Sequence, residues 1–217
     1  LPSGWVSTGE HVGTGAGDDG TPNSKLSVTT TTTGVANANF GIDRVPTANP
    51  VTGTFTNPGG TNTVAVPTLN GTDPEDGAIN AGETVIITTL PANGTLYYDA
   101  DGAGGNPPVA VTAGQTITNY DPARLTVDPN DGAASVIFTY QVVDAAGVPS
   151  AAANVTLTFD DLTISGNVYD DANGLTDATV NGTGTNAGGL YANLVNGAGN
   201  VVASVVVSAG GLYTFTT

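Results

Sequence analysis

The sequence has no cysteine, no methionine and a single histidine among its 217 residues. Without cysteine the chain has neither disulfides nor thiol chemistry, and one histidine cannot supply the ligands of an ordinary zinc site. Only three basic residues stand against 19 acidic ones, giving a formal net charge of −16. Because such a surface repels phosphate groups, we expect neither nucleic acid nor anionic lipid as a partner.

Catalytic constellations are also scarce. The one histidine, His11, follows Glu10 in a glycine-rich stretch, which leaves a serine–histidine–acid triad without support. Three glutamates, Glu10, Glu75 and Glu83, are the candidates for a carboxylate pair, but no pattern places two of them across a cleft. We predict that the chain is not an enzyme.

The residues that are abundant favour β-structure. Gly (31) and Pro (13) supply turns, and the many Thr and Val residues suit short strands. No apolar run approaches the roughly 20 residues that span a bilayer, so membrane insertion is not expected. The fold class predicted is all-β, and the opening Leu-Pro-Ser suggests a piece of something longer.

Composition divides the chain into segments 1–42, 43–160 and 161–217. The first is too small for its own core, and the proline-containing stretch 44–50 resembles a linker. Alternation of apolar and polar residues predicts strands. These are 26–28, 63–66, 84–90, 94–98, 109–111, 115–118, 124–127, 135–143, 154–159, 163–169, 190–195, 201–207 and 212–217.

The middle segment resembles bacterial cadherin-like tandem repeats. The likeness is carried by the stretch from Asn70 to Gly77 (NGTDPEDG), by LPANGTLY from Leu90, by VTAGQTI from Val111 and by FTYQVVDAAG from Phe138. This resemblance implies an immunoglobulin-like β-sandwich strung in tandem, often with calcium.

The flanking segments resemble SdrD-B or Cna-B type modules, which are prealbumin-like sandwiches of surface stalks. ISGNVYDD from Ile164 and GLYTF from Gly211 carry the likeness. Segment 161–217 then corresponds to the beginning of such a module and segment 1–42 to its end. The whole is similar in style to giant surface proteins of Bacteroidota, which implies an extracellular, cell-surface location.

Two groups of acidic residues are candidate calcium ligands. Calcium takes six to eight oxygens at about 2.3–2.6 Å, and acidic turns can gather them. One group is the turn with Asp170, Asp171, Asn173 and Asp177. The other comprises Asp73, Glu75 and Asp76, with Asp144, Asp160 and Asp161 as completing ligands. The alternative in both places is ordinary turn chemistry without a metal.

These observations predict a structural spacer repeat of a long extracellular adhesin, stalk or filament. Its expected partners are neighbouring copies of the same repeat, joined head to tail by strand pairing, and other cells or surfaces. The alternatives are a carbohydrate- or ligand-binding adhesin domain that uses Trp5, Tyr97 and Tyr98, and an accessory module of a secreted enzyme. Lys25, the only lysine, invites a Cna-B type Lys–Asn cross-link, but an exposed lysine is the preferred interpretation.

Overall fold

The chain is all-β, as the sequence predicts, with several sheets and almost no helix. The computed structural model describes residues 1–30, 32, 34–102, 107–132 and 134–216, and the side chains of Ala134, Leu175 and Asp177 lie outside that description. The predicted strands 84–90, 94–98, 135–143, 154–159 and 201–207 are confirmed to within two residues at each end.

The strands of the described residues follow in chain order. They are β1 (Trp5–Val12), β2 (Ala38–Arg44), β3 (Thr47–Ala48), β4 (Val51–Thr56), β5 (Val64–Ala65), β6 (Gly71–Asp73), β7 (Gly77–Ile79), β8 (Thr84–Thr89), β9 (Gly94–Tyr98), β10 (Val109–Ala110), β11 (Gln115–Ile117), β12 (Leu125–Pro129), β13 (Ala134–Val143), β14 (Ala153–Asp160), β15 (Thr163–Asn167), β16 (Tyr169–Asp170), β17 (Thr183–Gly184), β18 (Tyr191–Val195), β19 (Val201–Val206) and β20 (Leu212–Thr216). Two short helical turns accompany them, a 3₁₀ turn at Pro122–Arg124 and α1 at Gly174–Asp177.

Contacts group the chain into two compact units. Unit 1 comprises residues 1–53, 63–129 and 135–158, and unit 2 comprises 54–62, 130–134 and 159–217. The division of the sequence at residues 42 and 160 by module type stays a prediction.

Unit 1 is built around a four-stranded sheet in the order β10-β9-β12-β5 and a five-stranded sheet in the order β11-β8-β13-β14-β4. The strands β3, β6 and β7 form a third, three-stranded sheet. Alternate side chains of the long strands are buried, because successive side chains of a strand point to opposite faces. The apolar core comprises, among others, Val85, Ile87, Leu96, Leu125, Val127, Val136, Phe138, Val142, Val155 and Leu157.

Buried tyrosines connect this core to the surrounding loops. The Tyr140 hydroxyl lies 2.6 Å from the carbonyl oxygens of Asn49 and Asn70 and accepts a hydrogen bond from the Asn70 N–H at 3.0 Å. The Tyr120 hydroxyl accepts from the Leu69 N–H at 3.3 Å. Burial raises the pKa of Tyr120 to about 12 and that of Tyr140 above its ordinary value. These hydroxyls therefore fix loop backbone to the sandwich.

The N-terminal part of unit 1 differs from the sequence prediction. The strand expected at 26–28 is wrong, because residues 25–30 form no strand, and β1 pairs with β2 instead. The Glu10 side chain, buried in β1, accepts hydrogen bonds from the Ser7 hydroxyl and from the N–H groups of Asn23 and Ser24. The segment around residue 24 is thus held by a carboxylate rather than by a sheet.

Among the described residues from 161 onward, the strands of unit 2 form three two-stranded sheets, β15-β20, β16-β17 and β18-β19. Its buried apolar side chains include Phe159, Val207 and Phe215, and the Phe55 and Phe159 rings stack with centroids 5.4 Å apart. The strands predicted at 190–195 and 201–207 are confirmed as β18 and β19, which pair antiparallel. The predicted strand 163–169 is divided into β15 and the two-residue β16.

Among the described residues no helix is both long enough and apolar enough to cross a bilayer.

Candidate functional site

Three aspartates of unit 1 form the most unusual polar feature of the structure. Asp43 lies near the end of β2, Asp73 ends β6, and Asp144 directly follows β13. Asp73 is 4% exposed and Asp144 is 7% exposed, whereas Asp43 is partly exposed. Charged carboxylates are rarely buried this deeply unless a partner compensates them. We call these three residues the acid cluster.

Asp73 is held by the turn that joins β6 to β7. Its Oδ1 accepts hydrogen bonds from the N–H groups of Glu75 and Asp76, both at 2.8 Å, so the sequence DPED closes an Asx turn. Gly71 allows β6 to approach β3 closely, since a Cβ at that position would lie 2.5 Å from the Thr47 carbonyl oxygen. The other carboxylate oxygen of Asp73, Oδ2, is buried without a hydrogen-bond partner among the described residues.

The two carboxylate oxygens of Asp144 also differ from each other, as those of Asp73 do. Its Oδ1 accepts from the Val148 N–H at 2.7 Å, which closes the turn after β13. Its Oδ2 is buried and lacks a hydrogen-bond partner in the described part of the chain. Burial raises the pKa of Asp144 first of all, and the neighbouring carboxylates of Asp43 and Asp73 raise it further.

Asp43 completes the cluster from the N-terminal hairpin. Its carboxyl group lies beside that of Asp144, and its Oδ2 is buried without a hydrogen-bond partner within the described ranges. Ionised carboxylates only accept hydrogen bonds, so the three ionised aspartates cannot form hydrogen bonds with one another. A proton or a cation is what would relieve their repulsion.

Two other predicted ligands lie near the acid cluster in the chain but have partners of their own. Glu75 forms an exposed ion pair with Arg44 at 3.5 Å, and the Arg44 guanidinium lies 4.8 Å from the centre of the Trp5 ring. Asp76 Oδ2 accepts from the Ala145 N–H at 2.9 Å, which ties the β6–β7 turn to the turn after β13. Both therefore support the surroundings of Asp73 and Asp144.

The geometry is not that of a finished metal centre. Across the described residues, no three acidic or histidine side chains are already gathered as a ligand set. Calcium requires six to eight oxygen ligands. To bind it, the three aspartates would have to turn their Oδ2 atoms towards one point, and carbonyl oxygens or water would have to supply the remaining ligands. The observation that points to a ligand is the set of unpartnered oxygens in the acid cluster.

The remaining predicted ligands lie in unit 2. Asp160 is exposed, and one oxygen of Asp161 is buried without a described partner. In the acidic turn, Asp170 belongs to β16, and Asp171 Oδ2 accepts from the Asn181 N–H at 3.4 Å. Asn173 precedes α1, where its carbonyl oxygen accepts from the Thr176 N–H and hydroxyl. The Asp177 side chain lies outside the described part.

The aromatic residues considered for sugar binding are placed differently from one another. Tyr98 is buried, so its ring cannot stack on a sugar, whereas Tyr97 is partly exposed. Strand alternation predicts this difference, because neighbouring side chains of a strand point to opposite faces. A polar cleft of about 360 Å³ adjoins Tyr98 and is lined by Arg124 and Asn119 among others. Arg124 already pairs with Asp121 at 3.0 Å.

Asp43 is not among the calcium ligands predicted from the sequence. Alternation in β2 predicts Phe40 and Ile42 inside and Asp43 outside, but the structure leaves Phe40 54% and Ile42 49% exposed and turns Asp43 inward. The only sequence signal was its position directly before the proline-containing stretch 44–50.

Comparison with protein-family models, with curated proteins and with solved structures finds no match to this chain.

Proposed function

We propose that the chain is a structural spacer repeat of a long extracellular bacterial adhesin, stalk or filament, stiffened by calcium. The observation that carries the proposal is the acid cluster. It joins the β1–β2 hairpin, which precedes the linker-like stretch 44–50, to two turns of the sandwich that follows. A cation held by Asp43, Asp73 and Asp144 would link these elements and limit bending between them.

Other features of unit 1 agree with a mechanical role. Tyr120 and Tyr140 use their hydroxyls to pin loops, and the Glu10 carboxylate pins the segment around residue 24. These three side chains therefore direct their polar groups to partners within the chain. The high negative charge keeps such repeats soluble outside the cell, where calcium is abundant.

The proposed partners are neighbouring copies of the same repeat, joined head to tail, with other cells or surfaces as targets of the whole protein. The two-stranded sheets β15-β20 and β16-β17 of unit 2 support this, because an isolated two-stranded sheet is at best marginally stable. Additional strands from a neighbouring repeat would complete them.

Force spectroscopy of several chain copies joined in tandem tests the proposal. A spacer predicts equal unfolding steps, one series per copy, whose force rises when calcium is added and falls with chelator. A glycan array covers the alternative of a sugar-binding adhesin domain. Unfolding at negligible force in both conditions, together with specific glycan binding, would replace the spacer with that alternative.

A further inference from the structure

The C-terminal part of unit 2 carries no charge. Residues 178–217 contain no Asp, Glu, Lys, Arg or His, although the chain as a whole has a net charge of −16. The same stretch exposes many large apolar side chains, among them Val180 at 78%, Tyr191 at 64% and Val206 at 61%. Two copies of so acidic a chain repel each other over most of their surface, and this stretch is where that repulsion is weakest.

Within this stretch β18 is an outer strand. In the described structure β18 pairs with β19 alone, and β19 lies against β20. The Val207 N–H donates to the Leu190 carbonyl, which makes 190 and 207 a hydrogen-bonded pair of the hairpin. Because such pairs alternate along an antiparallel ladder, the backbone groups of Tyr191 and Asn193 point away from β19.

The edge strands of the two larger sheets carry protection that β18 lacks. The four-stranded sheet ends in β5 and β10, which are two residues long, and β11 has three residues. The β4 edge is flanked by Pro50 and Pro58. Short edges, prolines and charges are the usual defences against strand pairing between chains. The five residues of β18 have none of them.

The exposed face of β18 is self-complementary. Tyr191, Asn193 and Val195 are exposed, while Ala192 and Leu194 face inward. When two copies of β18 pair antiparallel about Asn193, each Tyr191 stands opposite a Val195, and the two Asn193 residues stand opposite each other. Aromatic and β-branched side chains form favourable cross-strand pairs, and no like charges meet.

We propose that β18 is a lateral interface through which two copies of this chain pair antiparallel about Asn193. The contact is two-fold symmetric and joins the two β18–β19 hairpins into a four-stranded sheet. It is distinct from the head-to-tail contact of the proposed spacer and does not depend on it. Where copies are also joined head to tail as proposed above, the contact lets two such stalks or filaments associate side by side.

Sedimentation equilibrium of the complete chain tests the proposal, with chelator present so that calcium plays no part. We expect a monomer–dimer equilibrium whose dissociation constant Asn193→Lys raises by about tenfold or more. The two introduced charges lie opposite each other at the two-fold axis, and a repulsion of about 1.4 kcal/mol corresponds to a tenfold change. Ser204→Lys is the matched control, because Ser204 is exposed opposite Asn193 on β19, away from the outer edge. It should leave the dissociation constant within about threefold.

Salt and cysteine cross-linking give independent readouts. Dimerisation should strengthen from about 10 mM to about 150 mM salt, because screening reduces the repulsion between acidic copies. The chain has no cysteine, so Asn193→Cys introduces a single thiol whose symmetric partner lies about 5.5 Å away between Cα atoms, within disulfide reach. The Asn193→Cys chain should form a covalent dimer on oxidation, and Ser204→Cys should not.

A chain that stays monomeric at about 1 mM overturns the proposal. So does equal cross-linking of the two cysteine variants, or equal weakening by the two lysines, because either result places the contact away from the β18 edge. The thermal unfolding of each variant, measured alongside, shows whether Asn193→Lys has unfolded the hairpin. If it has, the comparison of Asn193→Cys with Ser204→Cys tests whether β18 is the interface.

Discussion

Asp43 and Asp144 present their carboxyl groups to each other inside unit 1, each with one buried oxygen that has no hydrogen-bond partner in the described chain. The turn after β13 uses only the other oxygen of Asp144, which accepts a hydrogen bond from the Val148 N–H. The repulsion is understandable if a cation belongs between them.

Replacing Asp144 by asparagine should separate the structural role of this side chain from its charge. Asp144→Asn keeps an oxygen to accept from the Val148 N–H and offers an amide N–H to Asp43. Without calcium we expect the variant to be more stable than the parent chain by about 1–2 kcal/mol, because the uncompensated buried charge is removed. Thermal unfolding in chelator measures this.

The same variant should lose most of its response to calcium, since affinity depends on the number of charged ligands. Asp19→Asn, which removes an exposed charge from a loop, is the control and should behave like the parent chain. If Asp144→Asn is destabilised in chelator and still stabilised by calcium, the acid cluster is not the cation site.

Tyr120 should give the fold an alkaline limit. Its pKa is raised to about 12 in the folded chain because burial disfavours the phenolate, against 10.0 when exposed. The folded state therefore holds the proton more tightly, so this stabilisation is complete below pH 10 and is lost as the pH rises from 10 towards 12. About 3 kcal/mol is at stake, at about 1.4 kcal/mol per pKa unit.

Denaturant unfolding between about pH 8 and about pH 11.5 checks this limit. At pH 8 we expect the free energy of unfolding of Tyr120→Phe to be lower than that of the parent chain by about 1 kcal/mol, because the hydrogen bond from the Leu69 N–H is lost. Its free energy of unfolding should then change less as the pH rises. A parent chain and variant whose stabilities fall in parallel would show that another group sets the limit.

Tyr140→Phe should destabilise unit 1 by about 1–3 kcal/mol, because the Asn70 N–H and the carbonyls of Asn49 and Asn70 lose a buried partner. Tyr97→Phe, on the partly exposed neighbour of Tyr98 in β9, is the matched control and should change stability by less than about 0.5 kcal/mol. Chemical denaturation measures both. Equal effects would mean that the hydroxyl of Tyr140 adds nothing.

Glu10→Ala should loosen the segment that follows the N-terminal hairpin without unfolding the sandwich. The N–H groups of Asn23 and Ser24 lose their acceptor, so their hydrogen exchange should accelerate by about tenfold or more. Glu83→Ala, at an exposed glutamate, should leave these amides unchanged. Fast exchange at Asn23 and Ser24 already in the parent chain would contradict the role given to Glu10.

Much of the sandwich is predictable from the sequence because its strands obey the simplest rule. In β13 and β14, apolar residues at alternate positions fall on one face, and Phe138, Tyr140, Val155 and Leu157 are buried as that pattern requires. Turn chemistry likewise locates the β18–β19 hairpin and the Asx turn of Asp73.

The N-terminal segment and the acid cluster are harder to predict, for a physical reason. Alternation along β2 predicts that Phe40 and Ile42 are buried and that Asp43 is exposed. In the structure Phe40 and Ile42 are exposed, so the strand has the opposite orientation. Residues 26–28 alternate as a strand would, yet β1 and β2 take each other as partners. The approach of Asp43 to Asp144 joins positions distant in the chain, which no local pattern reports.

Calcium binding to the parent chain is the most direct test of the account. Calorimetric titration, with thermal unfolding in calcium and in chelator, should show heat of binding and a stabilisation of about 2.7 kcal/mol at 100 times the dissociation constant. For a chain of this size that corresponds to a rise of about 5–10 °C in Tm. No heat of binding and no change in Tm would contradict the calcium-stiffened spacer and leave the acid cluster to be neutralised by a proton.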